Sequence, residues 1–109
     1  MANLPRAQLR HLGIFVTDFD VMLNFYVELF GFHVSDQEDF EDGRRTAWLT
    51  LDPNAHHNFV ITTGREADTP STINQISFYV DTLDDVKAYW NALEDEPRAA
   101  RRYGRTHGN

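Results

Sequence analysis

Histidine and glutamine side chains stand at positions from which they could bind a metal ion or transfer a proton. His11 lies in the apolar stretch LRHLGIFV, and Gln75 lies in a second such stretch 64 positions later (75 − 11). His56 and His57 are adjacent and lead into a third apolar segment. Imidazole nitrogens bind metal ions, and imidazole titrates near neutral pH, so it also serves as a general acid or base. These four residues are the candidates for a functional site.

An internal repeat relates the segments that carry His11 and Gln75. At the offset of 64 positions the matched pairs are His11 with Gln75, Val16 with Val80, Tyr26 with Trp90, and Leu29 with Leu93. A repeat that keeps one offset through a strand, a turn and a helix indicates two copies of one structural unit. We expect a single domain over 1–109, with unit one at about 8–62, a linker at 63–72 and an incomplete second unit at 73–109.

Hydrophobic periodicity predicts the elements that position these residues. Alternating or continuous apolar runs predict strands near 8–16, 32–36, 45–51, 57–62 and 73–80. Apolar residues at helical spacing predict helices at about 19–30 and 82–94.

Capping residues mark the ends of both predicted helices. Thr17 or Asp18 suits the N-cap of the first helix, and Gly31 suits the left-handed position that ends it. Thr82 and Asp85 have the spacing of a capping box. The apolar face that we expect the second helix to bury consists of Leu83, Val86, Trp90 and Leu93.

Composition disfavours several classes of protein. The net charge of −7 argues against a nucleic-acid partner and against an anionic membrane surface, because both recruit clustered Lys and Arg. The absence of cysteine excludes disulfides, thiolate metal sites and a cysteine nucleophile, and favours the cytoplasm. The first residues lack the apolar core of a signal peptide, and no apolar run approaches membrane-spanning length. We expect a cytoplasmic protein that binds neither nucleic acid nor membrane.

The order of these segments resembles the vicinal oxygen chelate superfamily, which includes glyoxalase I, bleomycin-resistance proteins and type I extradiol dioxygenases. The matching segments are 10–18 (RHLGIFVTD), 24–26 (NFY), 29–32 (LFGF) and 74–78 (NQISF). Together with the strands between them they cover roughly residues 8–94. The resemblance implies an α+β fold in which tandem βαβββ units form an incomplete mixed-sheet barrel, with the second unit incomplete here.

The resemblance also implies roles for the four candidates. In this superfamily a divalent metal lies inside the barrel, held by residues of both first strands and by a carboxylate of a late strand. His11 matches the first ligand, and Gln75 falls where the dioxygenases have a second histidine; the late carboxylate has no counterpart in this chain. His56 and His57 match the segment that supplies the acid/base histidine of the ring-cleaving dioxygenases. Alternation along a strand lets only one of them face inward and leaves open which.

Each of these residues also has an interpretation that involves no chemistry. Taken alone, His11 fits a hydrogen-bonded core histidine and Gln75 fits a structural amide. The pair His56 and His57 also fits the exit of a turn with no further role.

The resemblance implies a metal-dependent enzyme that acts on a small oxygen-chelating substrate, with catechol-type ring cleavage favoured. The metal is then Fe(II) for a dioxygenase, or Zn, Ni or Mn for a glyoxalase-like enzyme. The alternative is a metal-free protein of the bleomycin-resistance type that binds an aromatic or cationic small molecule. We also expect a homodimer, because an incomplete second unit leaves a strand edge and apolar side chains at 73–80 without neighbours.

Overall fold

A computed structural model describes residues 3–100 of the chain, which divides into two compact units between Thr69 and Pro70. The first unit contains, in chain order, β1 (Leu12–Val16), α1 (Phe19–Phe30), β2 (His33–Asp39), β3 (Arg45–Thr50) and β4 (Phe59–Thr63). The second unit contains α2 (Leu83–Ala92). No helix within residues 3–100 is long and apolar enough to cross a membrane.

The strands of the first unit form one four-stranded mixed sheet in the order β1-β4-β3-β2. Strand β1 is parallel to β4, whereas β4 and β3, and β3 and β2, are antiparallel. The sheet does not close on itself, and with α1 it forms the βαβββ arrangement of a small α+β fold. Because β1 and β4 run in the same direction, the residues that precede both strands lie at the same end of the sheet.

Helix α1 begins and ends at the residues that its sequence predicts. Asp18 is the N-cap, since its Oδ1 accepts a hydrogen bond from the Val21 amide at 3.2 Å. Gly31 ends the helix in the left-handed conformation, with φ of 78°, and its amide donates to the Val27 carbonyl at 3.1 Å. The predicted range of 19–30 is confirmed.

The core of the first unit lies between α1 and one face of the sheet. Tyr26 of α1 meets Phe59 of β4 edge-to-face at 4.9 Å between ring centroids, and Phe32 lies 5.5 Å from the same ring. The buried apolar residues are Val16, Phe19, Tyr26, Phe32, Ala47, Leu49, Phe59 and Ile61. This packing supports one face of β3 and β4 and leaves the other face free of α1.

In the second unit, α2 has the predicted capping box. Thr82 Oγ1 accepts from the Asp85 amide at 3.1 Å, and Asp85 Oδ2 accepts from the Thr82 amide at 3.2 Å. The predicted burial of its apolar face is wrong, because Leu83, Val86 and Trp90 are 69%, 51% and 40% exposed. In the described part of this unit α2 is the only regular element, so no sheet of its own unit covers that face.

Two strand predictions are wrong, and both errors concern main-chain pairing. Residues 73–80 form no strand, because no segment within residues 3–100 pairs with them through a ladder of hydrogen bonds. Strand β1 begins at Leu12 rather than near residue 8, since its neighbour β4 begins only at Phe59. The expected pair of equivalent first strands is therefore not formed within residues 3–100: His11 directly precedes β1, and Gln75 lies in a segment without regular secondary structure.

Candidate functional site

The parallel pairing of β1 and β4 brings two of the candidate histidines together. Leu12 is paired with Phe59, and the Leu12 amide donates to the Asn58 carbonyl at 3.2 Å. The residues immediately before this pairing therefore face each other. The rings of His11 and His57 lie 4.4 Å apart between centroids and are tilted by 39°. Residues 46 positions apart in sequence (57 − 11) thus contact each other at one end of the sheet.

His56 adds a third ring to this contact. Its Nδ1 lies 2.9 Å from Nδ1 of His57, and the two rings are nearly perpendicular, with centroids 5.2 Å apart. One of the two nitrogens must carry the hydrogen and the other must accept it, since a hydrogen bond needs both roles. His11, His56 and His57 form what we call the histidine cluster. His11 and His56 are exposed, whereas His57 is half-buried.

The turn that follows β3 positions His56 and His57. Thr50 Oγ1 donates to the Asp52 carbonyl at 2.8 Å and accepts from the Asp52 amide at 3.0 Å. Asp52 Oδ1 accepts from the Asn54 amide at 2.9 Å, as Asp does in turns. The Asn58 amide then donates to the Leu49 carbonyl at 2.9 Å, which returns the chain to the sheet. The histidine pair is thus held between a hydrogen-bonded turn and the start of β4.

The electrostatics of the cluster favour an uncharged His57. Partial burial is the main cause that lowers the pKa of His57, and the nearby His11, His56 and Arg10 lower it further. Each of these neighbours carries or can carry a positive charge, which opposes a second one on the same cluster. The lowered pKa favours the neutral form of the His57 imidazole over the charged one.

The metal ligands implied by the resemblance are only partly present in this arrangement. Within residues 3–100 no three His, Asp or Glu side chains are grouped so that they could hold a metal ion. His11 offers an imidazole nitrogen at the start of β1. Gln75 belongs to the second unit and is exposed, so its role as a ligand stays a prediction.

The sheet face opposite α1 carries aromatic and polar side chains. Register pairs Trp48 with Val60, and Phe15 with Thr62, so these residues alternate with the buried ones and lie on the other face. Phe15 is 68% exposed. The hydroxyls of Thr46 and Thr62 lie 3.3 Å apart across the strands. We call Phe15, Trp48, Val60 and Thr62 the open sheet face.

A cavity of about 540 Å³ lies at the end of α1 and the turn after β3. Its lining residues are Gly31, His33, Ser35, Thr50, Leu51, Asp52, Pro53 and Ala55. Sequence reasoning missed His33 and Asp52 as pocket residues. The predicted hairpin of β2 and β3 could have revealed them, because antiparallel pairing of these strands places His33 beside Thr50.

Comparison with known proteins agrees with this architecture. The sequence model described as Glyoxalase/Bleomycin resistance protein/Dioxygenase superfamily matches residues 8–106. Among solved structures, this chain is similar to the glyoxalase family protein from Enterococcus faecalis, with a TM-score of 0.57 and 23% sequence identity. That similarity covers 78% of this chain and 71% of the other, and it shows a shared fold. None of the curated proteins matches the chain.

Proposed function

Because the chain belongs to the Glyoxalase/Bleomycin resistance protein/Dioxygenase superfamily, we propose that it is a metal-dependent enzyme for a small substrate with two neighbouring oxygens. The observation that carries this proposal is the 4.4 Å contact between the rings of His11 and His57. It combines an imidazole suited to a metal with a second imidazole suited to proton transfer. Cleavage of a catechol-type ring needs both, because a hydroxyl must lose its proton as the two oxygens bind. We therefore favour ring cleavage over a glyoxalase-like reaction.

His11 is the proposed metal ligand. Its ring is exposed at the start of β1 and can offer a nitrogen to an ion. A bound divalent metal supplies Lewis-acid stabilisation of negative charge on the substrate oxygens. Fe(II) suits ring cleavage, since reaction with O₂ requires a redox-active ion, whereas Zn, Ni or Mn suits a glyoxalase-like reaction. Since residues 3–100 hold no group of three ligands, His11 is the only ligand that we assign.

His57, rather than His56, is the proposed acid/base. His57 contacts His11 and is half-buried, whereas His56 is exposed and contacts His57. When Nδ1–H of His57 donates to Nδ1 of His56, Nε2 of His57 has a free lone pair and can take the substrate's hydroxyl proton. His56 is then a positioning residue, because its hydrogen bond determines which nitrogen of His57 carries the proton.

A second candidate function is metal-free binding of an aromatic or cationic small molecule, as in bleomycin-resistance proteins. The open sheet face favours it, since Phe15 is 68% exposed and Trp48 and Val60 lie on the same face. Aromatic side chains on such a surface stack on planar ligands and attract cations. Binding at this face needs no metal ligand.

We also propose that the chain forms a homodimer. In the first unit Leu12 and Phe15 of the edge strand β1 are 45% and 68% exposed, and in the second unit Tyr79 is 92% exposed. Unpaired edge strands and exposed apolar side chains favour association with another chain.

Metal content and turnover of three histidine variants test the proposed enzyme. We expect His11→Ala to lose bound metal after anaerobic loading with Fe(II) and desalting, because it removes the assigned ligand. His57→Ala should keep the metal and lose turnover of catechol by about 10²–10⁴-fold, the usual contribution of a general base. His33→Ala removes a histidine outside the cluster and should leave the metal content unchanged.

Elemental analysis and circular dichroism of each variant separate these effects from unfolding. Unchanged metal content in a folded His11→Ala protein would reject the metal role. If a chelator-treated protein instead binds planar cations, and Phe15→Ser removes that binding, the metal-free function is the correct one.

A further inference from the structure

His56 and His57 share a hydrogen between their Nδ1 atoms, and a single metal ion can take its place. The two Nδ1 atoms are 2.9 Å apart, and the rings are perpendicular to within a few degrees, at 87°. Two unprotonated nitrogens at this distance could not remain in contact without a hydrogen or a cation between them. We propose that His56 and His57 form a bidentate site for Cu²⁺. The same two nitrogens can also bind Ni²⁺, but more weakly.

The distance between the nitrogens suits a metal site with right angles. With metal–nitrogen bonds of about 2.0–2.1 Å, a nitrogen separation of 2.9 Å corresponds to an angle of about 90° at the metal. A tetrahedral ion with the same bonds requires a separation of about 3.3 Å. Right angles are those of square-planar and tetragonal sites, which Cu²⁺ and Ni²⁺ prefer, and Cu²⁺ binds more tightly than the other divalent ions of its row.

The surroundings of the pair permit an ion to enter. His56 is exposed and His57 is half-buried, so solvent reaches the pair and water can occupy the remaining coordination positions. The hydrogen-bonded turn at Thr50 and Asp52 and the start of β4 already hold the two residues in place. Little ordering of the chain is therefore needed when the ion replaces the shared hydrogen.

This site is separate from the metal role proposed for His11. It uses neither His11 nor any substrate, and it follows from the two Nδ1 atoms alone. Binding of Cu²⁺ at Nδ1 of His57 and acceptance of a substrate proton at Nε2 exclude each other, because the metal-bound ring keeps its hydrogen on Nε2. A Cu²⁺ ion bound to the pair therefore prevents His57 from acting as the acid/base.

Titration of the chelator-treated full chain with Cu²⁺ alone tests the site. We expect one Cu²⁺ per chain, with hyperfine coupling to two imidazole nitrogens in the electron paramagnetic resonance spectrum. His56→Ala and His57→Ala should each weaken binding by at least roughly tenfold, since the second nitrogen otherwise binds intramolecularly. His33→Ala should leave the affinity unchanged, and Zn²⁺ should bind more weakly than Cu²⁺.

Three results would overturn the proposal. Coupling to a single nitrogen in the wild-type chain would show that the pair does not chelate. Equal affinity of His56→Ala and His33→Ala would place the ion elsewhere. Equal weakening by His11→Ala and His56→Ala would show a different ligand set. None of these results depends on turnover, so failure of the proposed enzyme activity leaves this test intact.

Discussion

Adjacent residues of the same type acquire different properties from their neighbours. His57 is half-buried and contacts His11, so its pKa is lowered first by desolvation and then by nearby positive charge. His56 is exposed, and its Nδ1 lies against Nδ1 of His57. We propose that His57 transfers the proton and that His56 positions it. These different roles follow from the different surroundings of the two residues and not from residue type.

A second residue whose environment controls its charge is Glu96, after α2. Its carboxylate accepts from Arg98 Nε at 2.6 Å, from Arg98 Nη2 at 2.8 Å and from the Arg98 amide at 3.1 Å. Both side chains are largely shielded from solvent, at 11% and 20% exposure. The side-chain hydrogen bond, followed by the backbone one, lowers the pKa of Glu96 from 4.5 to about 2.

We predict that this contact stabilises the second unit only above acidic pH. The folded pKa lies below the ordinary one, so the contribution is complete above pH 4.5 and is lost as the pH falls towards 2. In Arg98→Gln the pKa of Glu96, measured by NMR titration of its side-chain carboxyl, should return towards 4.5. Arg44→Gln, which removes the exposed partner of Asp42, is the matched control and should leave Glu96 unchanged. A wild-type pKa near 4.5 would contradict the contact.

At the scale of the elements, Arg45 of β3 links the helix and a neighbouring strand. Its Nη1 donates to Asp20 of α1 at 2.9 Å and its Nε donates to Asp39 of β2 at 3.1 Å. Its guanidinium lies 4.4 Å from the centroid of the Phe19 ring. Because the two carboxylates are mostly exposed, solvent screens both ion pairs, and the buried aromatic core contributes more to the stability of the unit.

The end of α1 provides a stability prediction for the first unit. Gly31 has φ of 78°, and no atom lies within 4 Å of a Cβ placed there, so Gly31→Ala introduces backbone strain without a clash. We expect Gly31→Ala to lower the free energy of unfolding by about 1 kcal/mol. Chemical denaturation followed by circular dichroism measures this change.

Gly13→Ala is the matched control. Gly13 has no positive φ, and a Cβ there meets Val60 Cβ at 3.6 Å, an ordinary contact. The free energy of unfolding of Gly13→Ala should be unchanged or slightly raised, since Ala loses less backbone entropy on folding than Gly. Equal destabilisation by both substitutions would mean that left-handed strain at Gly31 is not the cause.

At the scale of the whole molecule, the prediction concerns association. Light scattering at micromolar concentration should report twice the chain mass of 12.6 kDa. Tyr79→Lys places a charge in the segment 73–80 and should shift the chain towards monomer, because charged side chains oppose strand pairing between chains. Thr72→Lys adds the same charge just outside the segment and should remain dimeric. A wild-type monomer would reject the proposed homodimer.

Local patterns in the sequence determined the elements that depend on near neighbours. Asp18 and Gly31 cap α1, and Thr82 and Asp85 cap α2, through hydrogen bonds that span three or four residues. The hydrophobic pattern likewise located β3 to within one residue. Such features need no knowledge of distant parts of the chain. The order of the elements was sufficient for the family resemblance.

Only the tertiary structure decided the features that depend on distant partners. Strand β1 begins at Leu12 because β4 begins at Phe59, and residues 73–80 form no strand because no described segment pairs with them. The contact of His11 with His57 arises in the same way, from parallel pairing that joins residues 46 positions apart. Strand pairing joins residues far apart in sequence, so local periodicity predicts that a segment can be extended but not which segment lies beside it.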